Sequence, residues 1–287
     1  MEKDKTFIRP GNFFCPGCPA GIIWKLILKV LGPNCIASIG STCVGMPAIL
    51  YPSPLDIPTL HVGMPGPAAA LSGISAALEI LAEKGKRPAR GNINVFAIAG
   101  DGGTADIGMA ALSGAAERND NGIYFCFDNE AYMNTGIQRS SLTPRKSWTT
   151  TTPVGKFQTK KDLPTIMAAH RIPYVATASL GFPNDFIAKI KKARDLKKGF
   201  RYIHILAPCP IGWGFPSEKT VEVSRLAVET GVWPLYEIES GVMRQAQRKT
   251  ARKPVSQYFR IQKRFAHLTD DEIDAVEAVL RKTETPE

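Results

Sequence analysis

At 287 residues, 44 % of them hydrophobic and 22 % charged, the chain has the composition of a soluble protein with a real core, enough for one large α/β domain or two modest ones. No apolar run approaches the roughly 20 residues of a membrane span, and the opening MEKDKTFIRP lacks a signal-peptide hydrophobic region, so the expected location is cytoplasmic. In that compartment six cysteines argue against a disulfide framework and for ligands or buried thiols.

In chain order, the first feature is Cys15-Pro16-Gly17-Cys18, a CxxC ahead of a helix expected over about Ala20 to Leu31. A CxxC can hold zinc, cycle as a redox disulfide or hold iron and sulfide. CIASIG (35–40) reads as a short strand, followed by a Pro-rich loop, the strand TLHV (59–62) and the small-residue helix PAAALSGISAALEILAEKG. A basic, Pro-containing turn follows Gly85.

INVFAIAG (93–100) is a continuous apolar run of the kind buried on both sheet faces. It enters GDGGTADIG and a helix to about Arg118, then the strand GIYFCFDN (122–129). A loop rich in Ser, Thr, Asn and Pro runs from Glu130 to about Lys161, too long for an idle connector. DLPTIMAAHRI–PYVATAS and FPNDFIAKIKKARD–FRYIHILAP are two more helix–strand units. The alternation predicts an α/β fold with a mostly parallel sheet and helices on both faces, over residues 1–214. After about Gly214 the alternation stops, and 215–287 reads as an extended C-terminal arm with a final helix, DDEIDAVEAVLRKT, for subunit contacts. Cys35 and Cys126, inside apolar strands, read as inert thiols.

The net charge of +10 concentrates between Arg244 and Arg264, a stretch without an acidic residue. Such a run can bind nucleic acid or a membrane surface, but no nucleic-acid-binding motif accompanies it. A basic tail that lies on a partner subunit or attracts an acidic protein is the plainer reading.

Gly100-Asp101-Gly102-Gly103 between strand and helix has phosphate-cradle geometry, because glycine N–H groups and a helix N-terminus favour anions. An acid at such a turn repels phosphate unless a divalent cation lies between them. A second oxygen ligand then belongs at the end of the neighbouring strand, where Asn129 stands one helix plus one strand downstream. A glycine turn merely capped by Asp101 is the structural alternative.

GDG with an asparagine at that distance resembles the thiamine-diphosphate fingerprint. The resemblance implies that Asp101, the Asn129 side chain and the Ala131 carbonyl hold Mg²⁺ on the diphosphate, lined by Gly102 and Gly103. The wider text, GDGGTADIGMAALSGAAERN and DNEAYMNTGIQRSS, resembles the β subunits of 2-oxoacid:ferredoxin oxidoreductases over roughly residues 10 to 215. It implies that Asn134 and Gln138 lie near cofactor or substrate, although Gln138 can equally serve the loop backbone. His61 stands where the family has a histidine near the cofactor; the alternative is a hydrogen-bonded structural histidine. The family carries a [4Fe–4S] cluster on this subunit, and Cys15, Cys18, Cys43 and Cys209 match its ligand pattern residue by residue.

The resemblance further implies ferredoxin as electron acceptor, a small 2-oxoacid as substrate, coenzyme A as a candidate acyl acceptor, and other subunits. One of those subunits supplies the glutamate that activates the cofactor. Two departures bear on the substrate: Cys18-Pro19-Ala20 replaces the usual Cys-Gly-Glu, and Gly63-Met64-Pro65-Gly66 replaces an acidic stretch. They keep oxalate beside pyruvate as a substrate. A non-redox thiamine-diphosphate decarboxylase or carboligase, and a basic zinc-containing nucleic-acid-binding protein, are the other classes.

Overall fold

Strand β3 (Asn94–Gly100) sends Phe96 and Ile98 into one hydrophobic cluster and Val95, Ala97 and Ala99 into another, on the opposite face of the sheet. That two-sided burial explains its continuous apolar sequence. The computed structural model describes residues 7–11, 13–86, 93–245 and 252–282. The first six residues, most of the basic turn after Gly85 and positions 246–251 of the basic run lie outside the described residues.

Around β3 stand β1 (Cys35–Gly40), β2 (Thr59–Val62), β4 (Gly122–Asp128), β5 (Tyr174–Ser179) and β6 (Phe200–Leu206). With β7 (Tyr236–Glu239) and β8 (Val242–Gln245) they form an eight-stranded sheet in the order β2-β1-β3-β4-β6-β5-β7-β8. The first six are parallel, and β7 and β8 add an antiparallel edge. Helices α1 (Ala20–Leu31) and α6 (Pro183–Asp195) cover one face. Helices α2 (Pro67–Glu83), α4 (Met109–Glu117) and α5 (Leu163–Ala169) cover the other, and α3 (Asp101–Ala105) follows β3 directly. Each fully buried large apolar side chain contributes about 1.5–3 kcal/mol. Among the described residues no helix is long and apolar enough to cross a membrane.

The α/β expectation with helices on both faces is met. The single helix expected after Gly100 is two, because the chain turns at Asp106 before restarting at Met109. The reading of the region after Gly214 needs correction. It contributes helix α8 (Thr220–Glu229), β7, β8, α9 (Val255–Arg260) and α10 (Asp270–Lys282). Phe215, Val223, Trp233, Tyr258, Phe265 and Ile273 build a third buried cluster together with Leu206 and Trp213, so this region packs against the preceding part of the chain instead of extending from it.

Candidate active site

Because β2, β1, β3, β4 and β6 are parallel neighbours, their carboxyl ends fall on one side of the sheet, where open α/β folds bind ligands. A cleft lies there, lined among others by Ser41, Cys43, Asp101, Gly102 and Asn134. Asn129 and Ala131, at the end of β4, form its floor together with Phe127.

Three oxygen-bearing groups converge in it. One terminal atom of the Asn129 amide lies 2.8 Å from the Ala131 carbonyl oxygen and 3.0 Å from Asp101 Oδ1. With nitrogen at that position the amide donates to both oxygens. With oxygen there, it stands from each of two further oxygens at a separation close to the edge of an octahedron, about 2.9 Å for Mg–O bonds of 2.0–2.1 Å. The residues therefore fit a divalent cation. Burial and the Asp128 charge push the Asp101 carboxyl well above the usual carboxylate range, against a hydrogen bond donated by Ser140 Oγ at 2.5 Å. A cation at this point would favour the carboxylate.

Gly102 is required by close approach: a β-carbon there would stand 2.3 Å from the Tyr132 ring, whose hydroxyl donates to Gly102 O at 3.2 Å. Gly103 lines the cleft beside it, and Gly100 ends β3 at its edge.

The loop from Glu130 to Lys161 has no helix or strand element among its residues, yet it is fastened throughout. Thr143 Oγ1 donates to Glu130 O at 2.6 Å, and the buried Lys156 ammonium donates to Ser141 O at 2.9 Å and Thr143 O at 2.6 Å. Beneath it lies a buried charge network. Lys160 Nζ meets Asp128 Oδ2 at 2.7 Å and Glu130 Oε1 at 2.6 Å, and His204 Nε2 meets Asp128 Oδ2 at 2.9 Å. Burial alone would raise the Asp128 carboxyl, but Lys160 and His204 hold it down to about 2.

Cys15, Cys18, Cys43 and Cys209 gather at the adjoining edge. Burial, opposed by an Ala20 N–H and reinforced by the charges of Cys209 and Cys15, pushes the Cys18 thiol up to about 12. Burial and then Cys209, Cys18 and Cys15 do the same to Cys43. The four thiols thus lie in one another's fields, although no three acidic, histidine or cysteine groups among the described residues converge on a single ion. Helix α7 (Pro210–Trp213) starts at Cys209, whose sulfur accepts from Gly212 N at 3.3 Å. The CxxC turn closes with Cys18 N donating to Cys15 O at 2.9 Å, and Gly17 sits at φ +72° against Ser217, where a β-carbon would collide. Trp24 Nε1 donates to Val44 O at 2.8 Å and so anchors the turn carrying Cys43. Cys35 and Cys126 are buried inside strands, apart from this group.

Two sequence expectations are not brought into the cleft wall. His61 lies on the edge strand β2 with its side chain exposed, touching Ser41 Oγ at 3.2 Å; Ser41 lines the cleft instead. Gln138 spends its amide on the loop: it accepts from Thr135 Oγ1 at 2.5 Å and donates to Thr135 O at 2.7 Å. Asn134 does line the cleft, as does Met64 of the Gly63–Gly66 departure; Ser41, Thr42 and Tyr132 also line it and carry no expectation from the sequence. The dipeptide Ser41-Thr42 between a strand end and Cys43 was the available signal.

Residues 42–205 match the family described as thiamine pyrophosphate enzyme, C-terminal TPP binding domain. The match takes in Asp101, Asn129 and Ala131 and leaves out Cys15, Cys18 and Cys209. The chain is 50 % identical over 275 residues to the pyruvate synthase subunit PorB of Methanothermobacter marburgensis, covering 94 % of this chain and 93 % of that protein. To the ketoisovalerate oxidoreductase subunit VorB of Pyrococcus horikoshii it is 42 % identical over 290 residues, covering 96 % and 92 %. A solved structure of the 2-oxoglutarate:ferredoxin oxidoreductase of Magnetococcus marinus, with 2-oxoglutarate, coenzyme A and succinyl-CoA bound, matches with a TM-score of 0.60 at 26 % identity, over 71 % of this chain and 67 % of that one.

Proposed function

The chain belongs to the thiamine-diphosphate-binding β subunits of 2-oxoacid:ferredoxin oxidoreductases, and from that premise we propose that it binds Mg²⁺–thiamine diphosphate and a [4Fe–4S] cluster for oxidative decarboxylation of pyruvate. The observation that carries this reading is the convergence of Asn129, Ala131 and Asp101 oxygens in a cleft that Cys43 also lines.

Bound thiamine diphosphate supplies the electron sink for loss of CO₂, and an adjoining cluster supplies one-electron acceptance. This chain's residues supply the setting. Asp101, Asn129 and the Ala131 carbonyl hold the cation, and Gly102 and Gly103 let the diphosphate approach the backbone. Ser140 orients the Asp101 carboxylate by its hydrogen bond. Asn134 stands where a polar side chain can meet the substrate. His61 acts by orienting Ser41, the cleft residue it touches.

The four cysteines support cluster ligation because they lie in one another's electrostatic reach and an all-thiolate ligand set suits iron–sulfur chemistry. The amide donors aimed at Cys209 add the hydrogen bonding that tunes such clusters. Met64, Phe127 and Met133 give the cleft an apolar lining, which suits the methyl group of pyruvate better than the second carboxylate of oxalate.

The site calls for partners. Among the described residues no glutamate side chain lines the cleft, and the nearest one, Glu130, is consumed by Lys160 and Arg264. A second subunit supplies the activating glutamate, and the residues after Gly214 serve subunit contacts. The net charge of +10 suits an acidic electron acceptor such as ferredoxin.

Anaerobic purification of the whole complex with iron, sulfide and thiamine analysis is the test, followed by viologen reduction with pyruvate, 2-oxoisovalerate or oxalate, with and without coenzyme A. Iron, sulfide and thiamine together with pyruvate-dependent reduction support the reading. Thiamine without iron would make it a non-redox decarboxylase, and zinc without thiamine would discard it. Decarboxylation by the isolated chain at the rate of the complex would end the partner requirement.

A further inference from the structure

Arg264 belongs to the basic run near the C-terminus, yet it is 3 % exposed. Its Nη1 meets Glu130 Oε2 at 2.7 Å, and its guanidinium lies 3.6 Å from the centroid of the Trp213 ring. Trp213 Nε1 donates to the backbone carbonyl of Asn129 at 2.8 Å. Trp148 N in turn donates to Arg264 O at 3.0 Å, which ties the long loop to the same residue.

Glu130 is the residue between the two oxygen-bearing positions Asn129 and Ala131, and its backbone is left-handed, with φ +65°. Glutamate does not adopt that conformation without support. The support is visible: Glu130 N donates to Asp128 Oδ1 at 3.0 Å, Lys160 donates to Oε1, and the Arg264 guanidinium stands against Oε2 as an ion pair without hydrogen-bond alignment. Turning the chain at Glu130 is what brings the Asn129 side chain and the Ala131 carbonyl to one point. Arg264 holds that turn at two points, Glu130 directly and Asn129 through Trp213. Trp213 also ends the short helix that begins at Cys209, so the same guanidinium braces the thiol edge of the site.

We propose that Arg264 is a positioning residue for the cation site, holding the Asn129–Glu130–Ala131 turn in its ligating shape through its ion pair with Glu130 and its stack on Trp213. The proposal rests on the Mg²⁺ reading above. A planar, always-charged guanidinium is the one side chain that can pair with a buried carboxylate and stack on an indole at once.

The test uses the assembled complex carrying Arg264→Met, Arg264→Lys, Glu130→Gln, or Arg264→Met with Glu130→Gln. Thiamine diphosphate retained after gel filtration is measured against Mg²⁺ concentration, beside kcat at saturating Mg²⁺ and iron content. Residues that orient metal ligands typically change affinity by about 10–100-fold. Arg264→Met is expected to raise half-saturating Mg²⁺ by about tenfold or more, with kcat at saturation largely kept, and Arg264→Lys to recover part of the loss. Glu130→Gln should show a similar loss, and the double variant little more than either single one. Unchanged Mg²⁺ dependence in Arg264→Met, or additive losses in the double variant, would overturn the proposal. If Arg264→Met fails to assemble, Arg264→Lys and Glu130→Gln carry the comparison; failure of all variants to assemble makes Arg264 a general folding residue and overturns it too. Asp101→Ala separates this from the underlying reading: if that variant binds thiamine diphosphate with normal Mg²⁺ dependence, the cation site itself is wrong.

Discussion

Cys43 and Asp101 line the same cleft, and the aspartate's charge adds to burial and to Cys209, Cys18 and Cys15 in pushing the Cys43 thiol up to about 12. A thiol assigned to the cluster and a carboxylate assigned to the cation thus share one space. Cys209, on the turn after β6, belongs to that group of thiols without lining the cleft.

That asymmetry predicts different outcomes for two cysteine variants. In the assembled complex, Cys209→Ser should lose most iron and sulfide while keeping thiamine diphosphate. Cys43→Ser should lose iron and also weaken cofactor retention, since its side chain lines the cleft. Iron, sulfide and thiamine contents per complex decide it. Full iron content in either variant would remove that cysteine from the ligand set.

Gly102→Ala tests the diphosphate cradle. The added methyl would stand 2.3 Å from the Tyr132 ring, so the ring or the turn must move. Overpacking of this kind costs about 1–3 kcal/mol, and the displaced turn should lose cofactor affinity. Tyr132→Ala in the same chain makes room and should restore part of the stability lost, read from urea midpoints. No relief in the double variant would mean that the backbone itself, rather than the ring, resists the methyl.

The parts of this architecture that were legible in the sequence are those written in local pattern. The strands INVFAIAG and GIYFCFDN are apolar along their central residues because both faces are covered. The step from Asp101 to Asn129 was readable because one helical crossover, α3 with α4, and the strand β4 separate adjacent strand ends. The hairpin β7–β8 was not, because its strands are short and carry charge: Glu237 and Glu239 both pair with Lys192 of α6. His61 looked like a cleft residue because its strand ends on the right side, but an edge strand leaves that side chain exposed. Arg264 was hidden differently. Its meaning depends on Glu130 and Trp213, which only the tertiary fold brings to it, and a basic run gives no hint that one member is buried.

Lys156 makes the long loop sensitive to pH. Burial, then the charges of Arg139 and Lys160, bring its ammonium from the ordinary 10.5 down to about 8. Between 8 and 10.5 the unfolded chain holds the proton that the folded chain has released, so stability rises with pH across that window. Below about 8 the cost of the buried ammonium is present in full. The width of the window bounds the gain at about 3 kcal/mol. Lys156→Met removes the titration and, at every pH, the bonds to Ser141 O and Thr143 O. Urea unfolding of both proteins from pH 7.5 to 10 should show wild-type stability climbing relative to the variant. A difference that stays flat would assign the ammonium an ordinary pKa.

Gln138 offers the sharpest contrast between a cofactor contact and a loop clamp. Besides its amide bonds to Thr135, its backbone pairs with Tyr132 in both directions, N to O at 3.1 Å and O to N at 2.8 Å. The segment 132–138 is thereby closed into a small ring that carries Asn134 and Tyr132 at the cleft. Removing the amide by Gln138→Ala deletes two side-chain bonds, each worth about 0.5–1.5 kcal/mol, and loosens the ring without touching the cation ligands. The expected signature is a raised KM for the 2-oxoacid with Mg²⁺ dependence and iron content unchanged. Gln138→Glu keeps the acceptor for the Thr135 hydroxyl but loses the donor to Thr135 O, and should fall between. If Gln138→Ala instead lowered thiamine diphosphate retention while leaving KM alone, the side chain would be a cofactor contact and the clamp reading would be wrong.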